Sequence, residues 1–135
     1  SGTPSNAEYM DRTNWSGTLG EGVDGSIDKI FDGSTGSDIA ANSAPWEFTL
    51  DLGAEITMLG ANTRHWGSGY APRSIEVLTS PDNATWKSHG TLAVSGATQN
   101  WRFLKPVTAR YLKYRVMSPN SRTDVTEFNI YVAKQ

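Results

Sequence analysis

The sequence predicts an all-β domain, a sandwich or barrel of seven or eight short strands. Three observations predict it. Apolar and polar residues alternate with period two along most of the chain, the pattern of half-buried strands. Clusters of Gly, Pro, Asn and Asp interrupt the alternation at short intervals, and no segment of ten residues carries a helical period. The 135 residues include 13 Gly, 6 Pro, 5 Trp and 5 Tyr, a composition of turns and large flat side chains. One domain of this length can bury a core of its own.

In chain order, Trp46, Phe48, Leu50 and Leu52 of "WEFTLDLG" share one face, opposite Glu47, Thr49 and Asp51, and Gly53 is expected to end the strand. "EITMLGANTR" (55–64) is read as the next strand. In "RSIEVLTS" (73–80), Ile75, Val77 and Thr79 alternate with Ser74, Glu76 and Leu78. "SPDNATW" (80–86) sets Pro beside Asp and Asn, which is a turn, and a strand restarts at Trp86. "NWRFLKPV" and "RYLKYRVM" read as two strands joined at "PVTAR", and "TEFNIYV" closes the chain with Phe128, Ile130 and Val132 on one face. Trp15, Trp46, Trp86 and Trp101 are read as core residues. Residues 1–12 are expected to be a loose lead-in to a domain over 13–135.

Charge and composition exclude several functions. The 12 basic and 14 acidic residues leave a net charge of −2, not the basic excess of a nucleic-acid binder. The absence of cysteine excludes disulfides, thiolate catalysis and cysteine-based zinc sites. No apolar run approaches the roughly 20 residues of a membrane-spanning helix. The opening "SGTPSNAEYM" lacks an initiator Met and a signal peptide, as expected of a piece of something longer. Neither His65 nor His89 lies near a serine nucleophile motif, so catalysis is not expected.

Two loops carry the chemistry. "KIFDGSTGSD" (29–38) sets Asp32 at the head of a run of glycines and hydroxyls. Such a loop can be a plain turn with Asp32 bonded to its own amides, or a set of oxygens converging on a cation. A phosphate loop is excluded, because no Lys-Ser or Lys-Thr pair follows the glycines. "TRHWGSGYAPR" (63–73) gathers Arg64, His65, Trp66 and Tyr70 around two glycines. Exposing two large rings and two donors on a flexible loop is costly unless they bind something. The plainer alternative is that both rings fold back to cap the core.

Taken in order, "IDKIFDGSTGSD", "PWEFTLDLG", "RSIEVLTSPDNATW", "ARYLKYRV" and "TEFNIYV" resemble the discoidin, or coagulation-factor type C, domain. The bacterial branch of that superfamily includes the family 32 carbohydrate-binding modules. The resemblance covers residues 13–132 and implies a jelly-roll sandwich of about eight antiparallel strands, with binding loops at one end. It also implies a structural calcium, held by the carboxylates of Asp32 and Glu127, the hydroxyl of Ser37, and the carbonyls of Lys29, Ser34 (or its hydroxyl) and Thr126. For the ligand it implies a glycan, with Arg64, His65, Trp66 and Tyr70 at the pocket and Asn120 and Arg122 of "SPNSRTD" reaching the same end. Relatives usually carry a Trp-His pair near Ile39; here the segment reads "DIAANSAP", so a galactose-type preference is not carried over. The resemblance further implies an exported, cell-surface or periplasmic bacterial setting, alongside other domains of a parent polypeptide. Protein adhesion is the alternative function. Membrane binding ranks lower, since relatives that bind bilayers usually carry a terminal disulfide and more basic loops.

Overall fold

The computed structural model describes residues 3–135, so the first two residues of the expected lead-in lie outside it. Nine strands follow in chain order: β1 (Ala7–Tyr9), β2 (Ser16–Leu19), β3 (Ile39–Ala41), β4 (Trp46–Arg64), β5 (Ser74–Ser80), β6 (Lys87–Ala93), β7 (Thr98–Ser118), β8 (Thr123–Val125) and β9 (Glu127–Ala133). Single 3-10 turns at Ile27–Ile30 and Ser68–Tyr70 sit in the loops. The main sheet runs β1-β9-β4-β7-β5-β6, with β2 also on β4, while β3 and β8 form a separate ribbon. Every pairing is antiparallel.

Two expected breaks are absent. β4 continues through Gly53, whose φ of +85° accommodates an irregularity between Asp51 and Ile56 instead of ending the strand. β7 likewise runs through "PVTAR", where Val107, Thr108 and Ala109 pair with Met58, Thr57 and Ile56. Pro106 is tolerated because the ladder skips from Val107 to Arg102 opposite Leu59, so its missing N–H costs no pairing. Gly60 sits at that skip. A Cβ there would lie 2.2 Å from the Trp101 carbonyl oxygen, so only glycine lets the two backbones approach.

The long strands bend and serve both layers. The first half of β4 lies between β2 and the end of β7; its second half lies between β9 and the start of β7. Between the layers Phe48, Tyr114 and Phe128 interlock, with Phe48 stacked on Tyr114 at 5.2 Å and Phe128 edge-on to both at 5.4 Å. Burying a side chain of this kind contributes about 1.5–3 kcal/mol. Trp15, Trp46 and Trp101 are buried as expected. Trp86 is not: it is half-buried at the surface, with the Lys113 ammonium 4.3 Å from its ring centre.

The N-terminal segment is docked rather than loose. β1 pairs with β9, and Arg12 Nη1 donates to Glu127 Oε1 at 2.8 Å, Phe128 O at 3.0 Å and Ile30 O at 3.3 Å. Among the described residues, no helix is long and apolar enough to cross a membrane.

Candidate functional site

The site forms where β4 ends. Arg64 closes the ladder with β9, its carbonyl accepting the Thr126 N–H at 2.8 Å. The next residue turns inward. His65 is fully buried in its side chain, and Nδ1 donates to the Asp124 carbonyl at 2.5 Å. A carbonyl can only accept, so Nδ1 carries the proton and Nε2 accepts from Thr63 Oγ1 at 3.0 Å. Burial pushes the His65 pKa below its ordinary value. His65 lines a hollow beside Arg64 and Trp66, but its side chain is buried and both ring nitrogens are committed within the protein, so it serves as an anchor beneath the loop.

With His65 locked, the chain swings outward. The Trp66 N–H donates to both carboxylate oxygens of Asp124, at 3.1 and 3.3 Å, while its ring is 67% exposed. Tyr70, on the 3-10 turn, is 44% exposed. Neither ring caps the core. Trp66 divides two hollows. The larger, about 320 Å³, is lined by Thr35, Arg64, His65, Trp66, Thr98 and Thr126 among others. The smaller, about 200 Å³, is lined by Asp38, Trp66, Tyr70, Arg122 and Asp124. Arg64 shares the larger hollow with Trp66, and Arg122 shares the smaller with Trp66 and Tyr70, whereas Asn120 is exposed on its loop and lines neither.

The loop after the first 3-10 turn closes on β9. Asp32 accepts the Ser34 N–H at 2.8 Å and the Ser37 hydroxyl at 3.0 Å, and the Ser34 N–H holds its carboxyl below the usual range. Ser34 Oγ accepts the Gly36 N–H at 3.0 Å. Glu127 takes the Gly33 N–H on Oε2 at 3.2 Å and Arg12 on Oε1. Burial pushes the Glu127 carboxyl up, Arg12 opposes this, and the Asp32 carboxylate close by adds to the rise.

A family model described as the F5/8 type C domain matches residues 10–129 of the chain. The chain belongs to that family. No curated protein matches it. Among solved structures, an F5/8 type C domain from Bacteroides fragilis is similar at 20% identity, covering 98% of this chain and 100% of that one, with a TM-score of 0.82. A family 32 module of Clostridium perfringens, solved with GalNAc-beta-1,3-galactose, is similar at 15% identity, 93% and 100% coverage, and a TM-score of 0.80. The family 32 module of NanJ from the same organism, solved with galactose, gives 14% identity, 93% and 99% coverage, and a TM-score of 0.78. At these identities the likeness shows the fold, a galactose-binding-like jelly-roll sandwich with nine strands here.

As an F5/8 type C domain, the chain can be tested for the calcium its resemblance implies. Asp32 and Glu127 face each other, and Arg12 supplies one positive charge against their two negative ones. Ser34 and Ser37 bond to Asp32 in the loop that closes on Glu127, Lys29 belongs to the 3-10 turn before that loop, and Thr126 directly precedes Glu127. Hard oxygens around a residual negative charge are what calcium takes, so the donor set fits. Among the described residues no group of three or more His, Asp or Glu is placed to hold a metal ion, so a cage here would rest on two carboxylates.

Sequence reasoning missed Asp38 and Asp124. Pairing of Ile39 with Val125 and of Ala40 with Asp124 sets these residues diagonally across the β3–β8 ribbon. Both line the same small hollow, and burial, with Asp38 alongside, pushes the Asp124 pKa up to about 7. The available signal was the short apolar pair "DIAA" and "TDV", each preceded or interrupted by an Asp. The segment where relatives usually carry a Trp-His pair here buries Ile39, Ala40 and Ala41 in the ribbon.

Proposed function

We propose that this domain is a non-catalytic carbohydrate-binding module that holds glycans at its loop end. The observation that carries the reading is the Trp66 ring, 67% exposed yet anchored through its own N–H and the buried His65 beside it. A pyranose presents a C–H face that packs on such a ring and hydroxyls that need directional partners. Arg64 on one side of the ring and Asp38, Asp124, Tyr70 and Arg122 on the other supply them. The solved structures with bound sugars, at 14–15% identity, support the reading by analogy of fold.

Catalysis has little to work with here. His65 is spent on structure. The domain is then a targeting module of a larger exported bacterial protein, with millimolar to micromolar affinity, about −4 to −8 kcal/mol. It serves by raising the local concentration of a partner domain at its substrate. A structural calcium at Asp32 and Glu127 completes the proposal.

A glycan array tests this with wild type beside Trp66→Ala and Arg64→Ala. Wild type is expected to retain a defined set of glycans. Both variants should lose them while melting at the wild-type temperature, since both side chains are exposed. Absence of any glycan signal from wild type, with both variants unchanged in every assay, refutes the reading and favours protein adhesion.

A further inference from the structure

We propose that the smaller hollow selects an amine-bearing pyranose, an unacetylated 2-amino sugar whose ammonium sits on the Asp38 and Asp124 carboxyls while its ring lies against Trp66. This rests on the carbohydrate reading above and names the ligand class. The site itself stands on the 200 Å³ hollow and its two exposed rings; the carboxyls decide only what enters it.

Asp124 is 3% exposed and Asp38 half-buried, so both are largely withdrawn from water beside an open cavity. Carboxylates are acceptors, and two of them lining one hollow present a concentration of acceptor oxygens that one neutral hydroxyl cannot match. An ammonium brings three donors and a compensating charge. Arg122 lines the same hollow and its charge bears on Asp124, but its hydrogen bonds go elsewhere. Arg122 Nη1 donates to Asn42 Oδ1 at 2.7 Å and to Asp24 Oδ2 at 3.4 Å, and among the described residues it makes no ion pair with Asp38 or Asp124. His65 Nδ1 lies 3.8 Å from Asp124 Oδ1, but its proton goes to the Asp124 carbonyl. The one donor bonded to the Asp124 carboxyl is the Trp66 N–H, which also sets the ring at the mouth of the hollow. A cation held there lies beside two aromatic rings, whose faces attract it. An N-acetyl group would replace that charge with a neutral amide.

Calorimetry with β-1,4-linked glucosamine oligomers, the matched N-acetylated oligomers and galactose tests the idea. The glucosamine oligomer is expected to bind at least tenfold more tightly than the other two. Asp38→Asn should weaken its binding about tenfold and erase the preference, and Asp124→Asn should do the same if that variant keeps its fold. Equal or tighter binding of the neutral sugars by wild type, or a preference unmoved by Asp38→Asn, overturns the inference and leaves the carbohydrate reading intact. Binding of no sugar removes both. Polylysine binding as tightly as the glucosamine oligomer, insensitive to Trp66→Ala, would show plain charge attraction and also overturn it.

Discussion

At the scale of single residues, His65 shows how one buried polar group arranges an exposed one. Its two nitrogens are committed to the Asp124 carbonyl and the Thr63 hydroxyl, which leaves Trp66 nowhere to go but outward. Because burial lowers its pKa, the folded protein resists a proton that the unfolded chain accepts near pH 6.5. The stability it contributes is present above that pH and lost as pH falls through the depressed folded value. Asp124 acts in the opposite sense, favouring the fold when protonated and losing that contribution as pH rises toward about 7. A His65→Asn variant separates the two: the stability gap between wild type and variant should narrow as pH drops from 7 to 5. Imidazole carbon shifts that titrate at or above pH 6.5 in the folded protein would refute the depressed pKa. The rings were legible in the sequence because Trp66 and Tyr70 are neighbours on one Gly-rich loop. Asp38 and Asp124 were not, because only the β3–β8 pairing brings them together and each strand is just three residues long.

At the scale of elements, alternation located the strands but not their continuity. Trp46, Phe48, Leu50 and Leu52 face the core as their spacing requires. Gly53 and Pro106 were read as breaks, since glycine and proline punctuate strands more often than they sit inside them. Here each occupies an irregularity of the β4–β7 ladder, where a positive φ or a missing N–H costs nothing. The same ladder yields a sharp expectation at Gly60. An added methyl would lie 2.2 Å from the Trp101 carbonyl oxygen and 2.7 Å from the Arg102 Cα, neither of them a flexible group. Gly60→Ala should cost about 3 kcal/mol by overpacking. Gly67→Ala, with no atom within 4 Å of the new methyl, should stay within about 0.5 kcal/mol of wild type. Urea denaturation of the two variants decides it, and equal midpoints would show that the β4–β7 crossing is looser than this packing.

At the scale of the whole molecule, the loop end is held together from three distant parts of the chain. Arg12 enters from the N-terminal segment, Asp32 from the first loop and Glu127 from the last strand, and all meet at one carboxylate. Glu127 also stands opposite Arg64 in the ladder, and Thr35 and Thr126 share a hollow with Trp66, so the proposed calcium junction forms one wall of the proposed binding site. A cation there would stabilise the fold by linkage, about 2.7 kcal/mol at a hundredfold excess over its dissociation constant. For a domain of this size that corresponds to a rise in melting temperature on the order of 10 °C. Scanning calorimetry should show this rise with calcium, its loss with chelator, and neither in Glu127→Gln. Because the proposed calcium would lie in the wall and not among the groups that face the sugar, chelation should lower the melting temperature without abolishing glycan binding well below it. A melting temperature indifferent to calcium and chelator would mean that Arg12 alone balances the Asp32–Glu127 pair. Arg12→Ala would then be the variant that unties the loop end.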